Sequence, residues 1–108
     1  MAHAKSFHIS SNAVTLVFAG AAQLRSYFLD NSANSAPSFY QFFDAASAAS
    51  VTLGTTAPAI VIPIPANSAA NLADSDGWNF VLGICVAVTT TYNGSTAPAS
   101  PVDCTIGI

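Results

Sequence analysis

The chain has 108 residues, of which 2 are Lys or Arg and 5 are Asp, for a net charge of −3. Charged residues make up 6%, against roughly 25% in an ordinary globular domain. This excludes a disordered chain, which needs low hydrophobicity and high charge. It also excludes a nucleic-acid partner, which needs a basic stripe to displace counterions.

The apolar pattern has period two far more often than 3.6, which points to strands. Residues 1–12 are expected as an N-terminal arm carrying His3 and His8, and 13–108 as one folded domain. Val14 to Phe18 is a short strand followed by small residues, Ala19-Gly20-Ala21-Ala22. A secretory leader is the weaker reading of that stretch, because the apolar core is very short and the flank before it is long and polar. Leu24 to Asp30 is a second strand, with Leu24, Ser26 and Phe28 on one face. A turn-rich gap covers 31–37, and Ser38 to Asp44 is an aromatic strand. Residues 45–58 are small and loose, with room for one helical turn and a short edge at Val51-Thr52-Leu53. Ala59 to Ile64 follows, with Pro63 and Pro65 placing it at an edge, since proline cannot donate to a ladder.

Asn67 to Leu72 can add a polar strand. Asp74-Ser75-Asp76-Gly77 reads as a tight turn, because Asp bonds nearby backbone and Gly supplies positive φ. Trp78 to Val81 and Leu82 to Thr91 read as strands, with a bend at Gly83. Asn93-Gly94 signals a tight turn, Pro98 to Pro101 a loop, and Val102 to Ile108 the last strand. Seven or eight short strands with turns between them make an all-β sandwich or barrel. Nothing is long and apolar enough for a bilayer-spanning helix, which needs roughly 20 residues. The best run, Ala57 to Ala66, contains three prolines. No membrane partner is expected.

Chemistry-bearing motifs are sparse. There is no G-x-S-x-G elbow, no H-E-x-x-H and no glycine-rich phosphate loop. Asp74-x-Asp76-Gly77 opens like a calcium loop, but the EF-hand pattern requires a closing Glu where this chain has Gly83. The chain is therefore expected not to be an enzyme, and to have no catalytic residue, no metal site and no cofactor. Asn93-Gly94-Ser95 matches a glycosylation sequon, but Asn-Gly is first a turn signal. Strand phase sets Cys85 away from the core and Cys104 toward it. A bridge needs Cβ atoms about 3.8 Å apart and facing each other, so two free thiols are expected.

The aromatic segment Phe39-Tyr40-Gln41-Phe42-Phe43 puts Phe39, Gln41 and Phe43 on one face and Tyr40 and Phe42 on the other. If one face is core, the outer face holds two phenylalanines. They are either covered within the domain, by a second sheet on one side and a loop on the other, or they meet a neighbouring subunit. Phe39, Gln41 and Phe43, with Phe7, His8 and Ile9 of the arm, are the candidate interface residues.

An ordered set of motifs runs through most of the chain: Leu24-x-Ser26-x-Phe28-Leu29-x-Asn31; Phe39 to Ala45; Leu53-Gly54-Thr55-Thr56-Ala57-Pro58; Ile62-Pro63-Ile64-Pro65-Ala66; Gly77-Trp78-x-Phe80; and Gly83 to Thr89. This succession resembles small tailed-bacteriophage virion proteins of the capsid decoration, or cement, type. The resemblance implies a jelly-roll β-sandwich and a subunit bound to the outside of a phage head. Its partners would be the major capsid protein and sister copies, as a trimer. Its place would be the virion exterior, after synthesis in the host cytoplasm. The alternative is a head-fibre, neck or tail module that binds host glycans through Tyr92, Trp78 or Asn93. Related sequences often carry an acidic loop after the A-x-T strand. Residues 90–96 here are uncharged, so no ion or contact role carries over to them.

Overall fold

The computed structural model describes residues 4–108, apart from the side chains at 4 and 74–76. The described strands are β1 (Ala4–Ile9), β2 (Thr15–Ala19), β3 (Ala22–Asp30), β4 (Ser38–Asp44), β5 (Ile60–Ile64), β6 (Ala69–Phe80), β7 (Gly83–Thr89) and β8 (Val102–Gly107). A single 3-10 turn sits at Ala48–Ser50, where the alanine-rich patch leaves room for one. The strands form two four-stranded sheets, in the orders β1-β8-β3-β6 and β2-β7-β4-β5, with every pairing antiparallel. This alternation between two sheets is the eight-stranded jelly roll. The expected all-β sandwich is the observed class.

The main core lies between the sheets. From the first sheet it takes Ile9, Leu24, Leu29, Val102, Cys104 and Ile106, and from the second Val17, Tyr40, Phe42, Ile64, Ile84, Val86 and Val88. The alternation of β8 is as expected. That of β3 is not, because Leu24 and Leu29 both point inward although an odd number of residues separates their phases. The β3–β6 ladder slips between Leu24 and Ser26, so that residues 74–77 stand opposite Arg25. A bulge of this kind resets which face a strand presents. It also replaces the turn expected at 74–77, and β6 is one long strand rather than two. The side chains of Asp74 and Asp76, weighed as an ion site, lie outside the described residues.

Residues 4–9 of the expected arm form an edge strand, paired with β8 from Ala4↔Gly107 to Ile9↔Val102. The alternation Lys5/Phe7/Ile9 against Ser6/His8 explains it. Ile9 is buried, and Phe7 packs against the core. Lys5 shares their phase and crosses the open side of the sandwich. Its Nζ donates to the Val17 carbonyl at 2.9 Å and lies 5.9 Å from the Phe18 ring centroid. A lysine turned inward at an edge is a known guard against edge-to-edge pairing.

The outer face of β4 is covered within the chain. Phe43 is 1% exposed and packs with Ala45, Val51, Cys85 and Ala87 under the 45–53 segment. Gln41 is fully buried. Its Nε2 donates to Thr89 Oγ1 at 2.6 Å and to the Gly94 carbonyl at 3.3 Å. Phe39 is half-buried against Tyr92, with ring centroids 6.3 Å apart. Of the six candidate interface residues only His8 is exposed. The loops that follow β4 and β7 fold back over the sheet, so Gln41 and Phe43 are covered within the chain.

Cys85 and Cys104 are both free and buried. They belong to different clusters, the outer and the main one, as strand phase requires. Burial, helped by the Asp103 charge, pushes the Cys104 thiol up to about 12. Burial also raises the Cys85 thiol.

Candidate functional site

Strand β7 runs from Gly83 to Thr89, roughly 20 Å at the ordinary rise, and its two ends open onto different surfaces. The Val81–Leu82 turn lies at one end and residues 90–101 at the other.

At the first end the chain reverses between β6 and β7 through Val81 and Leu82, which are 72% and 57% exposed. The turn that carries them is held at several points. The Asp44 carboxylate accepts the Leu82 amide at 2.8 Å, the Val81 amide at 3.1 Å and the Gly83 amide at 3.3 Å. The Gly20 amide donates to the Leu82 carbonyl at 2.9 Å, and the Ala45 amide to the Gly83 carbonyl at 3.2 Å. The bonds from Leu82 and Val81 hold the Asp44 carboxyl below its ordinary value of 3.8. Ala19, Gly20 and Ala21, beside the turn, are exposed as well. An open depression lined by Ala21, Ala22, Gln23, Asn79, Phe80 and Val81 adjoins them. The result is a small preformed knob with two apolar side chains outermost, the Asp44 carboxylate behind their amides and a shallow recess next to it.

A testable consequence concerns Asp44. A carboxylate with a lowered folded-state pKa contributes stability above its unfolded pKa, and that contribution is lost as pH falls through the folded value. Asp44→Ala should therefore cost about 1 kcal/mol at neutral pH, a figure kept low because the carboxylate is exposed to solvent. In strong acid the variant and the parent should converge. Urea unfolding of both proteins across that range checks it.

At the opposite end, Asn31 organises a buried polar hub. Its Nδ2 donates to the Ala36 and Pro65 carbonyls at 3.1 Å each. Its Oδ1 accepts from Asn34 Nδ2 at 2.9 Å and from Ser38 Oγ at 2.7 Å. Asn34 in turn receives the Ser100 amide at 2.7 Å. The hub ties the β3–β4, β5–β6 and β7–β8 connections together. A cleft of about 80 Å³ beside it, lined by Asn34, Pro37, Ser38, Thr90 and Pro98 among others, is smaller than an ordinary ligand pocket of about 300–1,000 Å³. Tyr92 stands out from this end, 67% exposed.

The other residues singled out by sequence are dispersed. His8 Nδ1 lies 2.6 Å from Asp103 Oδ1 on the exposed face of the β1–β8 pair, where the next pair along, Ser6 and Thr105, bond each other through their hydroxyls at 3.0 Å. Trp78 is half-buried and stacks on Tyr27, with centroids 6.4 Å apart. Asn93 is a half-buried turn residue with φ 55°. Among the described residues, no group of three or more His, Cys, Asp or Glu could hold a metal ion, and no helix is long and apolar enough to cross a membrane. The Val81–Leu82 knob is absent from the sequence reading because Phe80-Val81-Leu82 looks locally like strand. The signal for it is non-local, in the carboxylate of Asp44.

No protein-family model matches the chain, and no curated protein matches it. Among solved structures it is similar to a protein of Bacillus endospore appendages, described as a family of disulfide-linked pili. The identity is 12% and the TM-score 0.49, over 99% of this chain and 85% of that one. It is also similar to PirA, at 18% identity and a TM-score of 0.44, over 95% of this chain and 90% of that one.

Proposed function

We propose that the chain is a structural virion subunit of the capsid decoration type, bound to the outside of a phage head and without catalytic activity. The observation that carries this reading is the Val81–Leu82 knob, two apolar side chains held out on a braced turn in a chain with almost no charge. Each of them would contribute about 1.5–3 kcal/mol if fully buried against a partner. A preformed turn loses little conformational entropy on binding, and a trimer would multiply the effect through its linked sites. The partner would be the major capsid protein. A subunit that binds only the assembled shell shifts the equilibrium toward it by mass action. The jelly roll, a fold used in viral capsids, and the ordered motifs from Leu24 to Thr89 support the same reading.

The test is the double variant Val81→Asp with Leu82→Asp. Both side chains are exposed, so the variant should fold, with a loss of about 1 kcal/mol because the new carboxylates stand beside that of Asp44. It should fail to bind heads stripped of decoration. Unchanged binding would remove the knob from the interface. Attachment of the parent should survive about 1 M salt, where the Debye length is only ~3 Å, because few ion pairs exist to be screened.

A further inference from the structure

We propose that the free edge of β6, over residues 69–73, pairs antiparallel with the same edge of a second copy of this chain, joining their β1-β8-β3-β6 sheets about a two-fold axis at Asn71. The contact goes beyond the attachment reading and shares no residue with the Val81–Leu82 knob.

The two sheets leave four edge strands, β1, β6, β2 and β5. Three of them carry a device against pairing. β1 turns Lys5 inward, and the Lys5 ammonium takes up the Val17 carbonyl of β2. β2 is interrupted further by the register shift between Leu16 and Phe18. β5 contains Pro63, and Pro65 follows it. Inward lysines, bulges and prolines are the ordinary means of blunting an edge. β6 has a register shift of its own, but it lies at residues 74–77, opposite Arg25. Residues 69–73, before the shift, contain neither a charge nor a proline. They pair with β3 on one side, and among the described residues no strand pairs with the other.

The side chains of this edge favour a second copy. Leu72 stands opposite Tyr27, and Tyr27 opposite Ile106 of the core. Directly opposed residues share a face, so Leu72 belongs to the inner face of its sheet. It is nevertheless 38% exposed, because β6 is the last strand. Ala70, on the same face, packs against the core, while Ala69, Asn71 and Ala73 are exposed on the outer face. One further strand would continue the inner face past Leu72. Read antiparallel about Asn71, the sequence Ala-Ala-Asn-Leu-Ala complements itself. Leu72 of each copy comes opposite Ala70 of the other, large against small. Ala73 comes opposite Ala69, and the two Asn71 amides meet, each able to donate and accept. No like charges oppose each other within these residues. A self-complementary edge closes into a two-fold pair and does not propagate.

Sedimentation velocity of the full chain over a range of concentrations tests this. The mass should rise from 11.0 kDa toward twice that value, with a Kd tighter than about 1 mM. Leu72→Lys places a charge on both sides of the joint and should weaken association about tenfold or more. Its amide NMR spectrum away from β3 and β6 reports that it is folded. Asn71→Cys tests the register. Opposed residues of an antiparallel pair have Cα atoms about 4.5–5.5 Å apart, within the roughly 4.4–6.8 Å that a disulfide spans. Mild oxidation should therefore link two copies of this variant. Ala73→Cys, on the same exposed edge but opposite Ala69 of the second copy, should link much more slowly. The native Cys85 and Cys104 are buried and add little background. A chain that stays monomeric up to about 1 mM would overturn the proposal. So would association that Leu72→Lys leaves unchanged, or linking no faster at 71 than at 73. Head binding plays no part in these measurements, so their failure and that of the attachment reading are separable.

Discussion

Asn31→Ala should lower the unfolding free energy by at least about 3 kcal/mol and the Tm by roughly 15 °C or more. Asn31 is fully buried, and its side chain closes four hydrogen bonds of 3.1 Å or less, within the β3–β4 connection, to the start of β4 and to the β5–β6 connection. Removing it leaves the Ser38 hydroxyl, the Asn34 amide and two carbonyls without this partner in a site that water does not reach freely. Each orphan costs about 1–3 kcal/mol, and the sum is reduced only as far as the cavity can relax. Asn31→Asp separates the donor role from simple packing. It keeps the volume but turns an oxygen toward the Ala36 and Pro65 carbonyls. It should be at least as damaging as the alanine variant at neutral pH. A well-tolerated Asp would show that the donor half of the hub is dispensable.

Gly83→Ala is the second large effect, with an expected loss of about 3 kcal/mol. A Cβ at this position would lie 2.4 Å from the Ala45 carbonyl oxygen and 2.7 Å from that of Phe18. Both obstacles are backbone, so no side-chain rotation relieves them. β7 would have to move away from β2 or from the chain leaving β4. Either movement breaks the pairing Ala19↔Gly83 or the bond from the Ala45 amide to the Gly83 carbonyl. Val81 and Leu82 are carried on the same turn, so under the proposed decoration role the variant should also lose head binding. Thermal unfolding followed by circular dichroism measures the first loss. A Tm within a few degrees of the parent would mean that the close approach at Gly83 is not a constraint.

Much of the architecture is legible in residue order. Alternation in 38–44 and 102–108 sets which side chains enter the core, and Pro63 in the Ile60–Ile64 strand, with Pro65 just after it, marks an edge. Cys85 and Cys104 fall on opposite faces by phase alone. The illegible parts have non-local causes. The slip between Leu24 and Ser26 depends on what stands opposite, so the phase of Leu29 cannot be read from β3 by itself. The Ala4–Ile9 strand is half polar because one side of it faces solvent, which makes an edge strand look like a loose arm. Phe43 and Gln41 look like an interface until the 45–53 and 90–96 segments are seen to cover them. The knob depends on Asp44, 37 to 39 residues before the amides it holds. A local reading therefore finds Tyr92 but misses Val81 and Leu82.

The most direct test of attachment to a shell is quantification of this chain in purified phage particles, with the parent and the Val81→Asp, Leu82→Asp form each added to stripped heads. The parent should bind at a copy number matching the coat lattice and raise the temperature at which heads come apart, while the variant should do neither. A parent chain that is absent from the heads, or present in only the few copies of a tail part, would contradict the decoration role.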